Sequence, residues 1–371
     1  MIQLSGQNLE KPTTDPEQEL QALIQTFLSK NKEKIDNLKK TAGSEDYATF
    51  YSITEELSGL AKKYEKYFKE NSKSKVDTRN GILPQEILQE IFDPSGEKLQ
   101  ELEKDLKGLN SEETGSCYLP SDKEAGGDGW FVAEEFSNKP KFYVFDVKGH
   151  GLNAAYPKFI VHKLIRLYYL NGPGRNNADN LLEELNKFLF TGCLGSAFTD
   201  IAEAKIENGT LKIRATGTMK LIIRANETGE IKIGGDRMRE SNEKGIEYFN
   251  LKKSTSLGML ENVSRQEAEK VPLPEDASVF ICSDGVDGRK YSVSNGGGES
   301  RIHEDIIDVL RQKTLKVSTL LIGFRNVVME IKRRKKGHKK SDDITIFSFQ
   351  IRKGRLHLSE SAFQHQRGML V

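Results

Sequence analysis

Between Phe142 and Ile351 the chain carries short runs of β-forming residues, most of them closed by turn signals or polar residues, and this pattern limits the fold most. The runs are FYVFDV from Phe142, TDIAEAKI from Thr199, LKIRAT from Leu211, KLIIRA from Lys220, SVFICS from Ser278 and ITIFSFQI from Ile344. Asn208-Gly209 separates two of them by the dipeptide that best tolerates the positive φ angles of a type I′ turn, so a hairpin is expected there. Helical periodicity interrupts the runs at Gly151 to Tyr169, Asp179 to Phe190, Ile302 to Arg311 and Val317 to Arg334. Strands joined by hairpins, with helices grouped between them, predict an α+β fold of antiparallel sheets flanked by helices.

The residues before this region read differently. Leu20, Leu23, Ile24, Phe27 and Leu28 form one apolar stripe at helical spacing, and Phe50, Ile53, Leu57, Leu60, Ala61, Tyr64 and Tyr67 form another. A third stripe begins near Pro84, an acceptable first-turn proline, and ends at Asp93-Pro94; Leu99, Leu102 and Leu106 follow on a further amphipathic stretch. These are packing faces without a recognisable chemical motif. The turn-rich stretch from Asn110 to Gly115 marks the expected boundary. The chain of 371 residues thus divides into a helical regulatory or linker region at 1–110, a β-rich domain at 111–352 and a flexible tail at 353–371.

Composition excludes several classes. Lys and Arg number 56 against 55 Asp and Glu, so net charge predicts neither a nucleic-acid binder nor a membrane-surface protein. Cys117, Cys193 and Cys282 are scattered and form no CxxC pair, which argues against a disulfide framework and a structural zinc site. No signal-peptide pattern opens the sequence, and no run reaches the ~18 apolar residues of a membrane span. A cytoplasmic protein is the resulting expectation.

Four acidic sites stand where strands end or turns begin: Gly126-Gly127-Asp128, Asp146-Val147-Lys148-Gly149-His150-Gly151, Ser283-Asp284-Gly285 and Ser341-Asp342-Asp343. A carboxylate leaving a buried strand is expensive unless its charge is offset, and divalent cations would offset several at once. Oxygen ligands alone suit Mg²⁺ or Mn²⁺ rather than zinc. Each element is a common turn by itself; their co-occurrence in this order is what points to a shared metal site.

The stretches YLPSDKEAGGDGWF, FDVKGHGLNAA, SLGML, FICSDGV and SDDITIF resemble, in order, the PPM superfamily of metal-dependent serine/threonine phosphatases in its bacterial SpoIIE branch. The resemblance spans roughly Cys117 to Ile351. It implies a β-sandwich of two antiparallel sheets with helices on both outer faces and a dinuclear Mn²⁺ or Mg²⁺ centre at one edge. It implies that Asp146 bridges the two ions, that the Val147 carbonyl and Asp128 bind one of them, and that Asp284 and Asp342 hold the other. Asp342 is preferred to Asp343 by its place in the family motif. Water activated by the two cations would then attack the phosphorus without a covalent phospho-enzyme.

The chain departs from the family pattern at three places. Phe131 stands where a second acid is common, Thr218 replaces a histidine in Ala215-Thr216-Gly217-Thr218, and Asp287-Gly288 shifts an acid that usually follows Ser-Asp-Gly. His150 reads as a hydrogen-bonded turn residue behind Asp146. The basic run containing Lys335, Lys336, Lys339 and Lys340 precedes Asp342 and reads either as a solvated charge cluster or as a device that steers an acidic phosphoprotein.

The expected function is hydrolysis of phosphoserine or phosphothreonine on a regulatory protein. By analogy the partner is an anti-anti-sigma factor of STAS type, with no nucleic-acid or membrane partner and a homodimer contact through the first helices. A metal-binding docking module without turnover is the alternative from another class, and a metal-dependent nuclease is the third reading, favoured only by the basic run.

Overall fold

The computed structural model describes residues 114–120, 126–133, 140–149, 152–170, 180–190, 198–235, 245–261, 267–286, 304–312, 323–327 and 343–357. It also describes shorter stretches at 22, 26–27, 29–33, 52, 291–292, 298–299 and 320. Most of the stripes expected at 1–110, and the basic run before Asp342, lie outside the described residues. Those that are described before residue 60 are helical, and Phe27 is buried.

The strands are β1 (Thr114–Leu119), β2 (Asp128–Ala133), β3 (Lys141–Val147), β4 (Thr199–Glu207), β5 (Thr210–Thr216), β6 (Lys220–Ala225), β7 (Ile231–Gly235) and β8 (Ile246–Asn250). They continue as β9 (Lys253–Ser254), β10 (Glu269–Pro272), β11 (Ala277–Cys282), β12 (Tyr291–Ser292), β13 (Gly298–Glu299), β14 (Ile344–Arg352) and β15 (Arg355–His357). Helices α1 (Leu152–Leu170), α2 (Leu181–Phe190) and α3 (Glu304–Leu310) complete the labelled elements. One sheet runs β1-β14-β11-β6-β7-β8 with β15 on β14; the other runs β10-β5-β4-β3-β2 with β9 on β5. Pairing is antiparallel except for β7 with β8 and β5 with β9, so both sheets are mixed rather than purely antiparallel.

Each run predicted as a strand is one. Asn208 and Gly209 take φ of 52° and 69°, as the expected hairpin turn requires. At the two ends of the domain the sequence reading falls short. Thr114 and Gly115, placed in the inter-domain break, already pair with Phe349 and Ser348. The tail expected from Lys353 instead turns back, and Arg355–His357 pairs with β14.

Period-2 alternation sorts the strands into faces. Trp130, Val132, Phe142, Val144, Ala202, Ala204, Ile213 and Ala215 of one sheet meet Leu221, Ile223, Val279, Ile281, Phe347, Phe349 and Ile351 of the other in a single apolar cluster. Phe142 stacks on Phe349 at 4.5 Å across this interior. The outer face of the β11–β14 sheet is covered by Ile306, Ile307 and Leu310 of α3, with Leu320 and Phe324 from the next helical stretch.

α1 covers the outer face of the other sheet, where charged residues are buried as a set. Glu203 accepts hydrogen bonds from Arg214 Nε at 3.0 Å and lies 3.5 Å from Lys141 Nζ, so the buried charges are mutually compensated. Phe131, the position where an acid was expected, points to this face and packs edge-on against His162 at 5.2 Å. Burial holds the His162 imidazole neutral, pushing it down to about 3. Among the described residues no helix is long and apolar enough to cross a membrane.

Candidate active site

The alternation that builds the interior also builds the site. On β2 the inward positions run Val132, Trp130, Asp128; on β3, Phe142, Val144, Asp146; on β4, Ala204, Ala202, Asp200. At one end of the sandwich the apolar column is therefore replaced by carboxylates on three neighbouring strands. Asp128 pairs across the ladder with Asp146, and Asp146 with Asp200. The opposite sheet contributes from the same end. Inward alternation on β11 leads from Val279 and Ile281 to Ser283, and on β14 from Phe349 and Phe347 through Thr345 to Asp343.

Hydrogen bonds fix this rim. Ser283 Oγ donates to Asp128 Oδ2 at 2.6 Å and accepts the Thr345 N–H at 2.9 Å, while the Ser283 N–H donates to the Thr345 carbonyl at 3.0 Å. Gly127 N–H donates to Asp343 Oδ2 at 2.5 Å, tying the β2 turn to the start of β14. The Val147 N–H donates to the Gly127 carbonyl at 3.2 Å. Asp284 opens the short 3₁₀ turn Asp284–Val286 directly after β11 and is half-buried.

The electrostatics are those of crowded carboxylates. Asp128 is fully buried. Burial, then the neighbouring Asp343 and Asp284, push it up to about 8 against the opposing effect of Ser283. Asp146 is held well above the ordinary carboxylate range by burial first, then by Asp128, Asp284 and Asp200. Asp128 Oδ1 is buried with no hydrogen-bond partner among the described residues, and the Asp146 carboxyl stands opposite Asp128 across the ladder.

This is the condition a divalent cation relieves. The donor set is all oxygen, Asp128 has a buried oxygen without a donor, and Gly127 leaves the Val147 carbonyl uncovered: a Cβ at 127 would lie 2.1 Å from it. These features fit Mg²⁺ or Mn²⁺. Among the described residues no three acidic side chains converge on one point, so the described carboxylates line an edge rather than close a cage.

The structure brings together Asp128, Asp146, Val147 and Asp284 of the expected set. Asp342, His150, Gly288 and the four lysines lie outside the described residues. Two further acids are also at the rim: Asp343, which the family motif ranks behind Asp342, and Asp200, which has no motif to mark it. Asp343 is buried with one carboxylate oxygen committed to Gly127, and Asp200 continues the row of Asp128 and Asp146. The phase of their strands was the available signal: Ala202 and Phe347 face inward, so the residues two and four positions away along each strand do too.

Removing the Ser283 hydroxyl tests this arrangement. Ser283→Ala leaves both Asp128 and the Thr345 N–H short of a buried partner. It is expected to lower stability by roughly 1–3 kcal/mol in denaturant titration of the metal-free protein. Unchanged stability would show that water replaces the hydroxyl and that the rim is open.

The sandwich and its acidic edge define a class, an oxygen-lined centre suited to divalent cations at the rim of two packed sheets. A sequence model of the family "Stage II sporulation protein E (SpoIIE)" matches residues 138–352, more than half of the chain. The chain belongs to the SpoIIE family of PP2C-type serine/threonine phosphatases.

No curated protein matched the sequence. Among solved structures the chain is similar to the SiaA-PP2C domain of Pseudomonas aeruginosa, at 16% identity and a TM-score of 0.46, covering 69% of this chain and 96% of that one. It is similar to the PP2C phosphatase domain of SpoIIE from Bacillus subtilis, with a fragment of its regulatory domain, at 15% identity and a TM-score of 0.42, covering 66% and 64%. Similarity to the RsbU and RsbW domains of a Mycobacterium tuberculosis protein stands at 14% identity and a TM-score of 0.44, covering 71% and 69%.

Proposed function

We propose that this chain hydrolyses phosphoserine or phosphothreonine on a regulatory protein, using two divalent cations, Mn²⁺ or Mg²⁺. The observation that carries the reading is the inward row of carboxylates, in which fully buried Asp128 has an oxygen without a donor. Asp128, Asp146, the Val147 carbonyl and Asp284 would hold the ions together with Asp342. Asp342 is preferred to its neighbour Asp343 by its place in the family motif, and one Asp343 carboxylate oxygen already accepts the Gly127 N–H. Bound there, the cations would supply an activated water and offset charge on the phosphoryl oxygens.

The chain's own residues supply the rest. Ser283 fixes the Asp128 carboxylate, and Gly127 keeps the Val147 carbonyl accessible. The two sheets form a rigid wall behind the acids, so little reorganisation accompanies the reaction. The decisive measurement is release of phosphate from a phosphoserine peptide by the purified chain with and without Mn²⁺. Metal-dependent turnover supports the reading. Metal uptake without turnover would make the chain a docking module instead.

The partner is, by analogy with the family, an acidic phosphoprotein such as an anti-anti-sigma factor of STAS type, acting in the cytoplasm. The N-terminal region, 1–110, would regulate or dimerise the catalytic domain at 111–352. Steering by the basic run follows from its charge. With Lys335, Lys336, Lys339 and Lys340 all changed to glutamine, kcat/KM for an acidic phosphoprotein should fall about tenfold at low salt. Hydrolysis of a small aryl phosphate, which carries no acidic protein surface beyond its phosphoryl group, should change much less, and raising salt should shrink the difference as the Debye length shortens. Equal losses on both substrates at every salt concentration would assign the lysines a structural role.

A further inference from the structure

Asp200 is the carboxylate at the rim that the reading above does not use. It is half-buried, opens β4 beside Thr199, and faces Asp146 directly across the antiparallel ladder. Like charges opposite each other in a sheet are destabilising, and none of the lysines or arginines among the described residues is within ion-pair distance of it. Its partners are neutral. Oδ2 accepts hydrogen bonds from the Thr218 N–H at 2.8 Å and the Thr218 hydroxyl at 2.6 Å. Gly217 allows the grip, since a Cβ there would lie 1.8 Å from Asp200 Oδ1.

Thr218 stands at the position that departs from the family's histidine. A short hydroxyl in place of a ring, together with an aspartate across from it, forms one local unit with a fixed carboxylate. The next acids in the row are Asp146 and then fully buried Asp128, whose Oδ1 has no donor. The Asp200 carboxylate is therefore held beside Asp146, with Asp128 one strand further along the row.

We propose that Asp200, clamped by Thr218, is a positioning residue of the cation centre: it strengthens binding of the ion beside Asp146 through its charge and by accepting a hydrogen bond from that ion's water shell. It is not itself a ligand. A fixed anion within a few ångströms of a ligand carboxylate raises local attraction for a divalent cation, and neutral clamping by Thr218 leaves that charge undiminished.

The inference rests on the reading of Asp128 and Asp146 as cation ligands, and calorimetric titration of the metal-free full chain with Mn²⁺ separates the two. Wild type should take up two ions. Asp200→Asn keeps the shape and can still accept both Thr218 hydrogen bonds. It should weaken one of the two binding steps about tenfold and leave the stoichiometry at two. Asp200→Glu should recover part of the affinity, and Thr218→Val, which frees the carboxylate, should fall between. Turnover of Asp200→Asn should return toward wild type in excess Mn²⁺, because the variant loses affinity rather than a reacting group.

If Asp200 only caps the Gly217-Thr218 turn, Asp200→Asn and Thr218→Val would shift thermal stability and leave both Mn²⁺ affinities at the wild-type value, which overturns the proposal. A wild-type chain that takes up no Mn²⁺ would overturn the cation reading itself, and Asp200's role with it.

Discussion

Asp146→Asn is expected to lower kcat at least about a thousandfold, roughly 4 kcal/mol of barrier, while the two sheets remain folded. Asp146 is the middle carboxylate of the row, opposite Asp128 on one side and Asp200 on the other, so its charge serves the whole edge. The amide keeps the size of the carboxylate and loses only charge. Without metal the substitution should therefore stabilise the fold.

The sign follows from the raised carboxyls: groups whose folded pKa lies above the unfolded value contribute stability at low pH and lose it as pH rises. For Asp128 that window runs from 3.8 to about 8. Asp146 is itself held well above the ordinary carboxylate range by burial, so the uncharged amide escapes that loss and should raise the metal-free Tm more at pH 8 than at pH 5. Full activity of Asp146→Asn in saturating Mn²⁺, or a variant that melts below wild type at pH 8, would remove Asp146 from the centre.

How much of this was legible in the sequence depended on which interactions are local. β3, β4, β5, β6, β11 and β14 carry β-branched and aromatic residues, and the Asn208-Gly209 turn announces its hairpin within two residues. β7 and β8 pair in parallel across the intervening chain, and their short mixed runs IKIGG and IEYFN carry no alternation strong enough to reveal that. The first two residues of β1 fell within the expected break because Thr114 and Gly115 are turn residues by composition; pairing with β14, more than two hundred residues away, makes them strand.

The site divides in the same way. Asp128 and Asp284 stand beside glycines at strand ends, and Asp146 ends an apolar run three residues before Gly149, which marks them locally. Asp200 sits at the start of TDIAEAKI with no such marker, and only the inward phase of Ala202 and Ala204 assigns its face. Phase also turns Asp343 inward, where it holds Gly127, a contact between residues at opposite ends of the domain that no spacing rule contains.

Gly127→Ala is expected to damage stability and metal uptake together, because the space a methyl needs is already occupied by backbone. A Cβ at 127 would lie 2.1 Å from the Val147 carbonyl oxygen and 3.0 Å from Ala154 Cβ. Gly127 is also bonded through its own carbonyl to the Val147 N–H, so the methyl cannot be relieved by a rotamer change. The ends of β2 and β3 must separate, and that shift moves the Val147 carbonyl, the Asp343 hydrogen bond and the neighbouring Asp128 at once.

A loss of about 1–3 kcal/mol in denaturant titration is expected from the overpacking. Mn²⁺ binding should weaken by at least a hundredfold, the upper range for disturbing groups that orient metal ligands. Gly129→Ala is the control. There the Cβ would meet the end of the Phe145 ring at 2.6 Å, a side chain that can tilt, and the backbone at the rim need not move. Gly129→Ala should therefore keep Mn²⁺ affinity close to wild type even where it lowers Tm. If Gly127→Ala binds Mn²⁺ as tightly as Gly129→Ala does, the Val147 carbonyl is not a ligand and the ion sits elsewhere along the carboxylate row.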